Sequence, residues 1–123
     1  MAKIVCKVLG VVLLIVGILG FTHLLDSLGA HVGPLYAAHN LVHIVSGVLA
    51  LYFGFAGSLS SAKAFCLIFG VVYLALAILG IALGQPPNHI WAIGPLTLGN
   101  VDHAIHGILG LGFLAGGLLS KNP

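Results

Sequence analysis

Charged residues are scarce in this sequence of 123 residues. It has four lysines, no arginine and two acidic residues, so that charged residues make up 5% of the chain and hydrophobic residues 60%. A chain this poor in charge does not have the composition of a water-soluble domain. The lack of arginine and of any lysine cluster argues against nucleic acid as a partner. The composition therefore predicts an integral membrane protein whose main surroundings are the lipid bilayer.

Motifs of common catalytic sites are also missing. The two cysteines, Cys6 and Cys66, stand 60 residues apart, form no CxxC motif and are interpreted as buried apolar residues. There is no glycine-rich phosphate loop after a strand and no Ser-His-Asp set, and two acidic residues leave little scope for paired carboxylates. The sequence therefore gives no indication of an enzyme.

Long apolar stretches account for most of the chain. A helix needs about 20 residues to cross roughly 30 Å of hydrocarbon, and four stretches approach that length: residues 4–25, 36–57, 64–84 and 98–119. We expect an all-α fold, a bundle of four transmembrane helices. The stretch at 4–25 is not read as a signal peptide, because its counterpart at 64–84 lies in the middle of the chain.

The lysines predict the orientation of the bundle. Lys3 and Lys7 lie at the amino terminus, Lys63 in the middle connection and Lys121 at the carboxyl terminus. By the positive-inside rule these places are cytoplasmic. The connections at 24–37 and 84–98 then face the periplasm, a lumen or the exterior. All seven histidines fall in these connections or in the adjoining helix halves: His23, His31, His39, His43, His89, His103 and His106.

The two halves of the chain resemble each other at a spacing of 60 residues. The matches in the first half are Ala2-Lys3, Cys6, Gly10-Val11-Val12, Ile18-Leu19-Gly20, Asn40, His43, Gly47, Leu49, Leu51 and Phe53, each with an identical residue 60 positions later. Such a register predicts a duplicated unit. We expect two parallel two-helix repeats, residues 1–60 and 61–123, in one membrane domain, with equivalent residues at equal depth.

A polar stripe recurs on the second helix of each predicted repeat. Asn40, His43 and Gly47 share one helix face, and Asn100, His103 and Gly107 form the copy. Because lipid cannot hydrogen-bond an amide or an imidazole, we expect both stripes to face the bundle interior. Gly47 and Gly107 would make room beside each imidazole for a close helix or a flat ligand.

These motifs resemble those of small four-helix bacterial membrane proteins known as domain of unknown function 4383. The resemblance covers nearly the whole chain and rests on three groups: His39-Asn40-Leu41-Val42-His43 with Gly47-Val48-Leu49; Phe69-Gly70-Val71-Val72-Tyr73-Leu74 with Ile78-Leu79-Gly80; and Asn100-Val101-Asp102-His103 with Gly107. The resemblance implies a four-helix membrane fold. It supplies no activity, so functional residues must be inferred from their own chemistry.

The sharper functional hypothesis is a cofactor site. The predicted cofactor-binding residues are His43, His103, Asn40, Asn100, Gly47 and Gly107, and the predicted metal ligands are His39, His43, His103 and His106. Facing imidazoles can hold haem iron, one can hold a chlorophyll-type pigment, and three or four can hold copper or zinc. Of these ligands, haem or a related tetrapyrrole is favoured slightly over a bare ion. Asp102 stands four residues before His106 and is a candidate to orient its ring.

The sequence favours the alternative hypothesis, that the histidines and asparagines only join helices through hydrogen bonds. The protein would then be a structural or accessory subunit that contacts other membrane proteins or further copies of itself. The two functions differ in whether His43 and His103 bind a ligand or each other.

Overall fold

Four long helices make up most of the fold. The computed structural model describes residues 1–24 and 36–120; Asp26, His31 and Lys121 lie outside this range. The helices are α1 (Ala2–Leu19), α2 (Ala37–Phe55), α3 (Leu59–Leu83) and α4 (Asn100–Leu119). Each is long and apolar enough to cross a membrane. The predicted all-α fold with four membrane-span-like helices is confirmed.

Helix α3 begins five residues before the apolar stretch that predicted it. The Ser58 side chain accepts a hydrogen bond from the Ser61 backbone N–H at 3.1 Å and so caps the new helix. The first turn is polar, which is why hydrophobicity alone placed the start too late. With this early start, the connection between α2 and α3 is short, and the two helices run antiparallel.

The connection between α3 and α4 is a small β-hairpin, where the sequence predicted only a loop. Strands β1 (Trp91–Ile93) and β2 (Leu96–Leu98) pair antiparallel, with Trp91 opposite Leu98. Gly94 takes a φ of +57° at the turn, a conformation that suits glycine. Strands of three residues are too short for an alternating pattern to reveal them.

Glycines bring the helices of each half into close contact, α1 against α2 and α3 against α4. A Cβ at Gly10 would lie 3.0 Å from Leu51 and 3.1 Å from the Gly47 carbonyl. At Gly70 it would lie 2.6 Å from Leu114 and 3.0 Å from the Gly110 carbonyl. Gly10 and Gly70 are 60 residues apart, but their partners, Leu51 and Leu114, are 63 apart.

The same difference, 60 residues on the first helix of each half and 63 on the second, holds at both ends of the contact between the two helices. Gly54 packs on Lys7, and Gly117 packs on Leu67. Near the other end, Gly20 faces Asn40 and Gly80 faces His103. In the packing, therefore, His103 takes the place of Asn40, and His106, three residues further on, that of His43. The predicted equivalence of His43 with His103 is not reproduced in these contacts, and the duplication itself stays a prediction.

The two halves meet through buried residues at the end of the bundle that carries the described lysines. The Cys6 and Cys66 sulfurs lie 3.5 Å apart and join α1 to α3. The Ala2 backbone N–H donates to Ser120 Oγ at 2.6 Å, and Lys63 Nζ donates to the Ser120 carbonyl at 3.3 Å. The start of α1, the start of α3 and the end of α4 thus lie at one end, opposite the histidines.

Candidate functional site

Three buried histidines meet at the end of the bundle where α2 and α4 begin. His39 and His43 come from α2 and His106 from α4, and one ring nitrogen from each lies within 4.8 Å of those of the other two. Each residue is no more than 3% exposed. This group, called here the three-histidine site, is the one potential metal-binding group of this kind in residues 1–24 and 36–120.

Helix geometry explains how the site is assembled. His39 and His43 are four residues apart on α2, so their side chains lie on the same face one turn apart. Their ring centroids are 4.4 Å apart. His106 approaches from α4, with its centroid 5.6 Å from that of His39 and 6.4 Å from that of His43. Two helices from different halves therefore supply the three rings.

Several nitrogens in this site lack a hydrogen-bond partner. Within the described part of the chain, neither ring nitrogen of His43 is hydrogen-bonded, nor is Nδ1 of His106. Burial of such a group without a partner costs free energy, on the order of 1–3 kcal/mol in protein mutational data. A bound ion would use the nitrogen lone pairs. The arrangement therefore has the chemistry of a ligand site.

Aromatic residues close the site on the side that faces the middle of the bundle. The Tyr73 ring of α3 lies 5.5 Å from the His106 ring, and Phe113 stacks on Tyr73 at 6.2 Å. Phe65 continues the cluster, 5.8 Å from Phe113. These rings fill the interior between the histidines and the cysteine pair.

Asp102 is the acidic residue beside the site. It lies in the first turn of α4, buried, and interacts electrostatically with both His43 and His106. Its carboxylate accepts the Gly99 backbone N–H at 2.8 Å, which stabilises the start of α4. Asp102 therefore brings a carboxyl group close to the histidines while it also bonds the backbone of the helix start.

The spacing of the nitrogens is close to what a transition metal requires. Zinc binds imidazole nitrogen at about 2.0–2.1 Å, which places two ligand nitrogens about 3.3–3.6 Å apart. The ring nitrogens lie within 4.8 Å of one another, so each pair would have to approach by no more than about 1.5 Å to hold an ion. Because one side chain comes from α4 and two from α2, such an ion would also fasten the two halves together.

His103 and Asn100, two predicted ligands, serve other contacts. His103 is buried against Gly80 and donates from Nε2 to the His89 carbonyl at 2.8 Å. His89 Nδ1 donates to Asn100 Oδ1 at 2.8 Å, at an exposed position. His103 is not a member of the three-histidine site. These contacts attach the segment before the hairpin to α4.

The remaining predicted cofactor-binding residues lie at helix contacts. Asn40 is fully buried, and a Cβ on Gly20 would come within 2.6 Å of its Cγ. A Cβ at Gly47 would lie 2.7 Å from the Leu14 backbone nitrogen, so Gly47 allows a close helix rather than a flat ligand. At Gly107 it would meet only Ala77, at 3.7 Å, among the residues described.

Tyr73 is the buried polar residue near the site that sequence reasoning did not single out as functional. Its hydroxyl oxygen is buried, and the Ser46 side chain of α2 lies beside it. A hydroxyl in the middle of an apolar span could have indicated an interior position, because polar atoms at that depth turn toward the bundle interior.

Comparison with known proteins gives one match. The family described as Domain of unknown function (DUF4383) matches residues 3–119. No curated protein and no solved structure shows significant similarity to the chain.

Proposed function

The chain belongs to the DUF4383 family, whose description names no activity, and we propose from the chain's own residues that it is a membrane protein that binds one transition-metal ion at the three-histidine site. The observation that carries the proposal is the convergence of His39, His43 and His106, all buried, with ligand nitrogens within 4.8 Å of one another. Neutral imidazole suits zinc, copper, iron and nickel.

The arrangement supports a bare ion over haem or another tetrapyrrole. The haem hypothesis paired His43 with His103, but His103 Nε2 is engaged by the His89 carbonyl. For His43 and His106, whose ring centroids are 6.4 Å apart, the His39 ring lies 4.4 Å and 5.6 Å from the two rings. That third ring occupies space into which a macrocycle would extend, since carbon atoms approach no closer than about 3.5 Å.

Metal content of the purified full-length protein tests this function. The protein is extracted in mild detergent, exposed to one metal at a time, desalted and analysed for metal per chain. We expect one tightly held ion per chain. At a metal concentration about 100 times its dissociation constant, binding should stabilise the fold by about 2.7 kcal/mol, visible as a higher unfolding temperature.

Matched variants locate the ion. His106→Gln removes a ligand from α4, whereas His103→Gln changes a buried histidine on the same helix outside the site. We expect His106→Gln and His43→Gln to abolish retention of the ion and the metal-dependent stabilisation, while His103→Gln keeps both. Folded protein that retains no metal of any kind would refute the proposal, as would equal metal loss in all three variants.

A second candidate function, that of a structural or accessory subunit, is supported by the contacts of His103. This residue, His89 and Asn100 together bind the hairpin region to α4, as expected if part of the polar stripe only joins elements. Under this function the protein would co-purify with a membrane partner or with further copies of itself. His106→Gln would leave the number of bound partner chains unchanged.

A further inference from the structure

The three-histidine site is enclosed and has few charges to balance a bound ion. Imidazole binds a metal ion in its neutral form, and Asp102 is the only acidic residue in residues 1–24 and 36–120. The described lysines lie at the far end of the bundle. One carboxyl group can supply one negative charge, which balances a monovalent ion but only half the charge of a divalent ion.

Placing an ion in an enclosed site of this kind costs free energy. The cost of moving an ion from water into a low-dielectric interior rises with the square of its charge, so a divalent ion costs roughly four times as much as a monovalent ion of equal size. Helices α2 and α4 both begin near the site, with His39 third in α2 and Asp102 third in α4. The positive ends of their dipoles add to the penalty for a cation.

The number of ligands also favours a monovalent ion over zinc. Structural zinc sites are almost always four-coordinate, and three-ligand zinc sites complete the set with water or substrate. Here three residues form the group, and no fourth histidine, cysteine or carboxylate among the described residues belongs to it. Monovalent copper, which carries a lower charge than zinc(II), forms stable complexes with only three nitrogen ligands.

We infer that the three-histidine site selects copper in its monovalent state over zinc and other divalent ions. The inference rests on the proposed metal-binding function and names the ion that this site takes. Asp102 is then a charge-balancing residue rather than a ligand. Because its carboxylate already accepts the Gly99 N–H at 2.8 Å, it is held in place before the ion arrives.

The cysteine pair is the competing copper site in this chain. Thiolates are soft ligands that also select monovalent copper, and the Cys6 and Cys66 sulfurs lie 3.5 Å apart. They are at the other end of the bundle from the histidines. Every copper measurement therefore needs the Cys6→Ser/Cys66→Ser double variant beside the native chain, so that copper on thiols is not counted as copper on imidazoles.

The test is a pair of titrations on full-length protein in detergent without oxygen. Monovalent copper is supplied from a chromogenic copper(I) chelator and zinc(II) from a zinc chelator. We expect one copper(I) per chain, retained in the double cysteine variant and lost in His43→Gln. A tenfold excess of zinc should displace less than about half of it. Asp102→Asn, which can still accept the Gly99 N–H, should weaken copper binding about tenfold or more.

The outcomes separate the inference from the function on which it rests. One zinc per chain held in preference to copper(I), and lost in His43→Gln, would overturn the choice of ion and leave the metal site standing. Copper lost in the cysteine variant but kept in His43→Gln would overturn the assignment to histidines. Unchanged copper affinity in Asp102→Asn would overturn the charge argument. Folded protein that binds neither ion would refute the proposed function itself.

Discussion

At the scale of single residues, Gly47 and Gly107 match in the sequence repeat but differ in the packing. A Cβ at Gly47 would press on the α1 backbone, 2.7 Å from the Leu14 nitrogen and 2.9 Å from the Gly10 carbonyl. We expect Gly47→Ala to destabilise the protein by about 1–3 kcal/mol, because the helices must separate. Gly107→Ala should be neutral or stabilising by up to about 1 kcal/mol, since alanine favours the helix and space is available.

Detergent-solubilised protein unfolded by a graded denaturing detergent or by heat measures both effects. Gly110→Ala is the control, since a Cβ there would lie 2.6 Å from the Leu74 nitrogen. It should behave like Gly47→Ala. If Gly107→Ala proved as damaging as Gly47→Ala, the packing register of 63 residues would be wrong.

His103 is expected to contribute to stability rather than to metal binding. His103→Ala removes the hydrogen bond to the His89 carbonyl and leaves a gap against Gly80. We expect a loss of about 1–3 kcal/mol, faster proteolysis or hydrogen exchange around residues 85–98, and unchanged metal retention. His103→Gln, which can still donate, should recover part of the loss. Loss of metal from folded His103→Ala would contradict this assignment.

The candidate ligands could be predicted from the sequence, but the set that meets could not. His39, His43 and His106 were all among the four predicted metal ligands, because buried imidazoles in an apolar span must face the bundle interior. The favoured pair was His43 with His103, chosen from the 60-residue repeat. A shift of three residues in the second helix brings His106 to that place instead. The glycines indicate this register in the sequence, since Gly47 and Gly54 recur 63 residues later as Gly110 and Gly117.

At the scale of helices, the contact between α1 and α3 gives a chemical test of the packing. The Cys6 and Cys66 sulfurs need to approach from 3.5 Å to about 2.05 Å to form a disulfide. A disulfide-forming oxidant such as diamide would accept the two electrons and two protons that the thiols release. We expect slow formation of an intramolecular disulfide, because both thiols are buried.

Mass spectrometry after denaturation and alkylation checks this expectation. The oxidised chain should lose two hydrogens and escape alkylation at both cysteines. In the Cys66→Ser variant no intramolecular bond can form, and Cys6 should remain open to alkylation or form dimers. A native chain that keeps two free thiols, under conditions in which both cysteines of the folded protein can be alkylated, would contradict the contact between α1 and α3.

Helices and connections differed in how well the sequence predicted them. Helices follow from long apolar runs, because a bilayer requires about 20 such residues in hydrogen-bonded form. The early start of α3 depended on a capping serine, and the hairpin between α3 and α4 on three-residue strands around Gly94. Such short features depend on local hydrogen bonds that hydrophobicity does not record. The 63-residue register likewise depends on how the chain turns between helices.

At the scale of the whole molecule, we propose that the lysine end is cytoplasmic and the histidine end faces outward. The described lysines Lys3, Lys7 and Lys63 gather at one end, where Lys63 bonds the Ser120 carbonyl. The positive-inside rule places such an end on the cytoplasmic side. The three-histidine site, near the starts of α2 and α4, would then take its proposed ion from the outer side.

Single cysteines at the two ends test this orientation in intact cells. In the Cys6→Ser/Cys66→Ser background, Asn88→Cys adds a thiol beside the hairpin and Ser60→Cys adds one at the start of α3, both at exposed positions. A membrane-impermeant maleimide should label Asn88→Cys in intact cells, and Ser60→Cys only after permeabilisation. The reverse pattern would place the histidines inward, so that the ion would come from the cytoplasmic copper or zinc pool.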